Sequence, residues 1–108
     1  MTTKKKSPSI TERVVVVGSE GYGLCYGRIR ATDDEIVASK SVTVYRVRHV
    51  ARWYTSKPGG ISSLIVDGPT TGSRIGAEAP SQLVLNVRNV FFCSDAAIEA
   101  FDAMVPAS

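Results

Sequence analysis

Histidine occurs once, at His49, and cysteine twice, at Cys25 and Cys93. That scarcity removes most catalytic and metal chemistry. No Ser–His–Asp, Cys–His or HExxH arrangement is present. The two thiols and one imidazole cannot complete a usual zinc site without carboxylates at unsuitable spacing. The expectation is a protein that is not an enzyme and uses no metal and no cofactor. Both cysteines sit in apolar strand-like runs, where free buried thiols are the ordinary reading, although a disulfide between them stays open. Long apolar runs are missing too: Val14–Val17 falls far short of the about 20 residues that span a bilayer. No apolar stretch follows the N-terminal lysines, so a secretory leader is not expected and a cytoplasmic location is.

Excess charge is also lacking. The net charge of +3 is carried by Lys4, Lys5 and Lys6, without which ten basic residues face ten acidic ones. A neutral body speaks against a general nucleic-acid binder. The distribution is uneven, however. Arg28, Arg30, Lys40, Arg46, Arg48, Arg52 and Lys57 are opposed over that stretch only by Asp33, Asp34 and Glu35, so one region can be locally positive.

What is present is one domain's worth of chain, 108 residues with 44% hydrophobic content, enough for a single core. Residues 1–10 read as a disordered basic arm and residues 11–108 as the globular domain. Arg13–Val17 and Gly23–Arg30 read as strands joined by a glycine-rich turn. In the second, Leu24, Tyr26 and Arg28 point one way and Cys25, Gly27 and Ile29 the other. Thr32–Glu35 reads as a turn and Ile36–Ser39 as a short strand. Ser41–Tyr54 is a long β-prone stretch whose alternation slips between Tyr45 and Val47, which predicts a bulge or break. Gly60–Val66 has helical spacing. Leu83, Leu85 and Val87 alternate in a strand that continues through Val90–Phe92. Ser94 can cap a final helix that presents Ala97, Ile98, Phe101 and Met104 on one face. The expected fold is α+β, mainly antiparallel β: a small curved sheet or open barrel with a short central helix and a C-terminal helix.

Two constellations can carry chemistry. Gly68-Pro69-Thr70-Thr71-Gly72-Ser73-Arg74 offers backbone N–H groups, hydroxyls and a guanidinium fork, the groups that hold a phosphate. It lacks the Lys-Ser/Thr ending of a P-loop, and the same composition also makes an ordinary polar connection. Arg46, Arg48, Arg52, Trp53 and Tyr54 place arginines beside aromatics, which clamp phosphates and stack bases. In a regular strand Arg46, Arg48 and Val50 share a face; the competing reading is a solvated face with Trp53 anchoring the core edge. The candidate ligand-binding residues are Arg74 and Arg52 on phosphate, Thr70, Gly72 and Ser73 in the loop, Trp53 or Tyr54 as the stacking platform, and Arg48.

From Val44 to Phe101 the chain resembles a family of small proteins encoded by phages and prophages. The likeness rests on Val50-Ala51-Arg52-Trp53-Tyr54, Gly59-Gly60-Ile61, Gly68-Pro69-Thr70, Ser73-Arg74-Ile75, Pro80 with the Leu-rich strand after it, and Phe92-Cys93-Ser94 with Ala96-Ala97. It extends weakly to Gly21-Tyr22-Gly23 and Tyr26-Gly27. In this it is similar to the type 1 Thoeris anti-defence proteins, phage proteins that bind and sequester cyclic nucleotide immune signals without cleaving them. The resemblance implies a phosphate- and adenine-binding site built from arginines, an aromatic and a polar loop, often between subunits. It implies a homo-oligomer acting on a small nucleotide second messenger in the cytoplasm of an infected bacterium. The Lys4–Lys6 arm and the His49 region have no counterpart in it. Two other classes stay open: a nucleic-acid-binding phage accessory protein, which the neutral body disfavours, and a protein-binding host-takeover module anchored by Trp53 and Tyr54.

Overall fold

The computed structural model describes residues 11–21 and 23–107, so the basic arm expected over Met1–Ile10 lies outside the described residues. Six strands and three helices follow in the order β1 Arg13–Ser19, β2 Gly23–Ile29, α1 Asp33–Ser39, β3 Val42–Arg52, α2 Ile61–Asp67, β4 Arg74–Ile75, β5 Ala79–Val84, β6 Val87–Phe92 and α3 Asp95–Ala103. All strand pairs are antiparallel, in the order β4-β3-β2-β1-β6, with β5 on the same edge of β3 as β4. The fold is therefore α+β and mainly antiparallel β, and the sheet is curved and open. Only Leu85 and Asn86 separate β5, paired with β3, from β6, paired with β1. The sheet thus curls toward itself without closing into a barrel.

Two cores lie on opposite faces, as the period-2 pattern of β2 requires. Cys25 and Ile29 join Val15, Val17, Val42, Val44, Val47, Val84 and Ile36 of α1 on one face. Leu24 and Tyr26 join Val16, Val50, Leu64, Ile75 and Phe101 on the other, where α2 and α3 pack. Ser94 caps α3 by accepting from the Ala97 N–H at 3.2 Å and donating to Val66 O at 2.5 Å, which fixes α3 to the end of α2. Phe101, wholly buried, stacks on Tyr26 with ring centroids 4.1 Å apart.

Two sequence expectations change and a third is met. Ile36–Ser39 is not a strand but the body of α1. Thr32 Oγ1 accepts from the Glu35 N–H at 3.2 Å, and Glu35 Oε1 accepts from the Thr32 N–H at 2.8 Å. This reciprocal cap, with acidic residues facing the helix N-terminus, outweighs the β-propensity of Ile36 and Val37. The single strand expected from Leu83 to Phe92 is interrupted by Asn86, whose φ of 54° breaks the extended run. Its two halves then find different partners. The bulge expected between Tyr45 and Val47 is present. Tyr26 pairs with Arg48 and Arg28 with Tyr45, so β3 carries one residue more than β2 there, and Arg46 takes φ 51°. Gly27 lies against the bulge, where a Cβ would collide with Val44 and stand 2.7 Å from Tyr45 O.

Candidate functional site

The bulge at Arg46 decides the fate of the β3 arginines. The extra residue breaks the parity that a regular strand would impose. Arg46 faces solvent and pairs with Glu78 at 3.2 Å, while Arg48 is 5% exposed. Arg48 Nε donates to Gly76 O at 2.7 Å, Nη1 to Phe101 O at 2.7 Å, and Nη2 to Met104 O at 2.8 Å. Its guanidinium ties the end of α3 to the segment after β4. Arg48 is thus removed from the surface set: a buried cation survives only where its donors are met, and carbonyls meet them here.

Beside it lies a polar cluster that the sequence reading missed. Tyr26 Oη donates to Asp102 Oδ1 at 2.8 Å, and Arg28 Nη2 reaches Asp102 Oδ2 at 3.0 Å. Burial, then the hydrogen bond to Asp102, pushes the Tyr26 phenol well above its usual range. The placement of Tyr26 and Arg28 on one face was legible from alternation; that Asp102 of α3 meets them was not.

A second register shift, between Val50 and Arg52, turns the end of β3 over. Val50 and Trp53 both join the core against α2 and α3, which leaves Arg52 and Tyr54 outward and exposed. Trp53 is therefore half-buried at the core edge, while Tyr54 is the more exposed aromatic. Arg52 stands directly opposite Arg74, its register partner on β4. Among the described residues Arg52 has no ion-pair partner.

The loop between α2 and β4 folds back on Tyr54. Gly68 (φ 85°) packs so closely on α3 that a Cβ there would collide with Ala100 and stand 3.2 Å from Ala97 Cα. The Thr70 N–H donates to Tyr54 O at 2.8 Å, the Tyr54 N–H to Ser73 Oγ at 2.9 Å, and the Ser73 N–H to Thr70 O at 3.1 Å. Gly72 (φ 95°) closes this turn, and the Tyr54 ring lies over it, 3.3 Å from where a Cβ would stand. The ring stays 51% exposed. The structure thus brings together Arg52, Tyr54, Thr70, Gly72, Ser73 and Arg74 at one edge of the sheet. Ser73 Oγ and the Thr70 N–H are engaged within the loop, so they shape the site, and Arg52 and Arg74 stand exposed at its edge.

Among the described residues no three His, Cys, Asp or Glu side chains gather in a metal-binding group. No described helix is long and apolar enough to cross a membrane. Both cysteines are free thiols, Cys25 buried and Cys93 half-buried.

Residues 12–101 match the model of a domain of unknown function, DUF6948. The chain belongs to the DUF6948 family. A glycerol-3-phosphate dehydrogenase from Mycobacterium leprae (strain TN) is 32% identical over 82 residues, which is 76% of this chain and 13% of that protein. The chain thus spans about one-eighth of the length of the curated relative it matches. No solved structure matches. In this DUF6948 domain β1 and β2, which flank the first glycine-rich segment, pair antiparallel. A dinucleotide-binding turn instead runs from a strand into a helix.

Proposed function

We propose that this DUF6948 domain binds and sequesters a phosphorylated small molecule of the nucleotide class, without chemical change, at the edge formed by β3, β4 and the loop before β4. The observation that carries the reading is the register pairing of Arg52 with Arg74, at the same sheet edge as the exposed Tyr54 and the loop that folds back on it. A phosphate at this edge can take bidentate charge-assisted hydrogen bonds from a guanidinium fork. A base on Tyr54 adds stacking, worth about 1–3 kcal/mol. Sequestration of a signal needs nanomolar affinity, about −12 kcal/mol, which several charge-assisted bonds and a stacked base can supply together. The phage anti-defence role and the cyclic nucleotide ligand come from the family resemblance and form part of the proposal.

Calorimetric titration with cyclic di- and trinucleotides and cyclic ADP-ribose isomers tests it. Intact ligand should be recovered after heat denaturation. Arg52→Ala and Arg74→Ala should each weaken binding about tenfold to a hundredfold with melting unchanged. A small ligand with one or two phosphates loses less affinity with added salt than a bound polymer, which engages many phosphates and loses it steeply. Unchanged affinity in both variants would remove the site, and a steep salt dependence with a polynucleotide would replace the ligand class.

A further inference from the structure

We infer that β6 is a self-pairing edge through which two copies of this chain form an antiparallel, two-fold dimer. This does not rest on the nucleotide reading, because the surface is separate from the Arg52–Arg74 edge.

Among the described residues strand β6 ends the sheet and pairs only with β1. Cys93 donates to Val14 O at 3.0 Å, and the ladder runs from there through Phe92–Val15, Phe91–Val16 and Val90–Val17. Hydrogen-bonding direction alternates along a strand. The N–H and C=O groups of Val90 and Phe92 therefore point away from β1. An edge of this kind is a template for another strand. Beside it runs a groove of about 660 Å³, with Asp33, Ile36 and Val37 of α1 and its C-cap Lys40 forming one wall and β6 the other. The wall residues fall at i, i+3, i+4 and i+7, a single helix face. Two of the larger apolar side chains along it, Val37 at 74% and Phe92 at 49%, stand exposed.

One register of self-pairing matches the outward groups of both chains and leaves the Val87 N–H on Lys40 O outside the paired segment. With the two-fold axis at Phe91, Val90 of one copy pairs with Phe92 of its mate, and the reverse. The four outward donors and acceptors of each chain are then matched. An aromatic side chain lies across from a β-branched one, a favourable cross-strand pair. The irregularity between Gly18 and Ser19, which displaces β6 near Arg88, falls outside the paired segment. Charge does not oppose self-association: the groove carries Glu20 and Asp33 against Lys40 and Arg88, so a patch meeting its own copy meets no net charge. Identical patches meeting face to face are what a two-fold interface requires.

Light scattering of the full chain over a range of concentrations should give a mass twice the 11.6 kDa of one chain. Phe92→Glu and Val37→Glu, each at an exposed position, should raise the dimer dissociation constant at least tenfold while circular dichroism shows the fold intact. Hydrogen exchange at the Val90 and Phe92 amides should slow as protein concentration rises and lose that dependence in the variants. A monomer at every concentration overturns the inference. So does a dimer that survives both substitutions, or protection of these amides that is independent of concentration. Protection conferred only by a foreign protein would assign the edge to an extended strand of another chain, and would equally overturn self-pairing.

Discussion

Replacing Arg48 by methionine keeps a long, flexible side chain and removes all five N–H donors. In the native structure those donors meet Gly76 O, Phe101 O and Met104 O at 2.7–2.8 Å. A buried carbonyl left without a partner costs about 1–3 kcal/mol. Removing a buried guanidinium also relieves its desolvation, which offsets part of the loss. Two of the three carbonyls lie at the end of α3, where water can reach them if the last turn frays. The net loss is therefore put at about 2–4 kcal/mol, within the range of broken buried networks. At roughly 4–8 °C per kcal/mol for a domain of this size, Tm should fall by about 10–25 °C. Arg48→Lys should be nearly as damaging, because one ammonium cannot span carbonyls on both sides of the clamp. Thermal melts followed by circular dichroism measure the loss, and hydrogen exchange locates it: α3 should lose protection before β1 and β2. A Tm drop below about 5 °C, with α3 still protected, would refute the clamp. Loss of ligand affinity with unchanged stability would return Arg48 to the binding set.

Gly72→Ala places a Cβ against the Tyr54 ring at a residue with φ 95° and should destabilise by about 1–3 kcal/mol; calorimetric melting reads the loss, and ligand titration should show weakened binding beyond it. Phe101→Ala removes a wholly buried ring stacked on Tyr26 and should cost about 3–5 kcal/mol in chemical denaturation. Burial pushes the Cys25 thiol from 9.0 up to about 11. The fold therefore favours the protonated thiol: its contribution is full below pH 9 and is lost as pH rises from 9 toward 11, at about 1.4 kcal/mol per pH unit. Urea midpoints measured across pH 8–11 should fall, and fall less steeply in Cys25→Ala. Ellman's reagent at pH 8 should label Cys93, half-buried, faster than Cys25, and the reverse order would show that the face assignment of β2 is wrong.

Much of the fold is local in origin, and the sequence alone determined those parts. The inward and outward residues of β2, the slip between Tyr45 and Val47, the short helix near Gly60–Val66, and the cap and apolar face of α3 follow from periods of 2 and 3.6 and from capping chemistry. The cap of α1 was equally local, with Thr32 and Glu35 three residues apart, and was overlooked because Ile36 and Val37 look like a strand. The sequence offers Arg52, Tyr54, Gly72, Ser73 and Arg74 as parts of one binding site, drawn from two constellations whose spacing along the chain does not place them side by side. Tertiary structure brought them together, and it separated Arg48 from them. The reason is parity. Each bulge in β3 inserts one residue and so exchanges the two faces beyond it. Whether an arginine ends in water or among buried carbonyls depends on where that residue is inserted relative to β2 and β4. The position is set by partners distant in sequence: Gly27, which leaves room for the bulge, and Arg74, which meets Arg52 across the ladder. No local pattern within β3 encodes it.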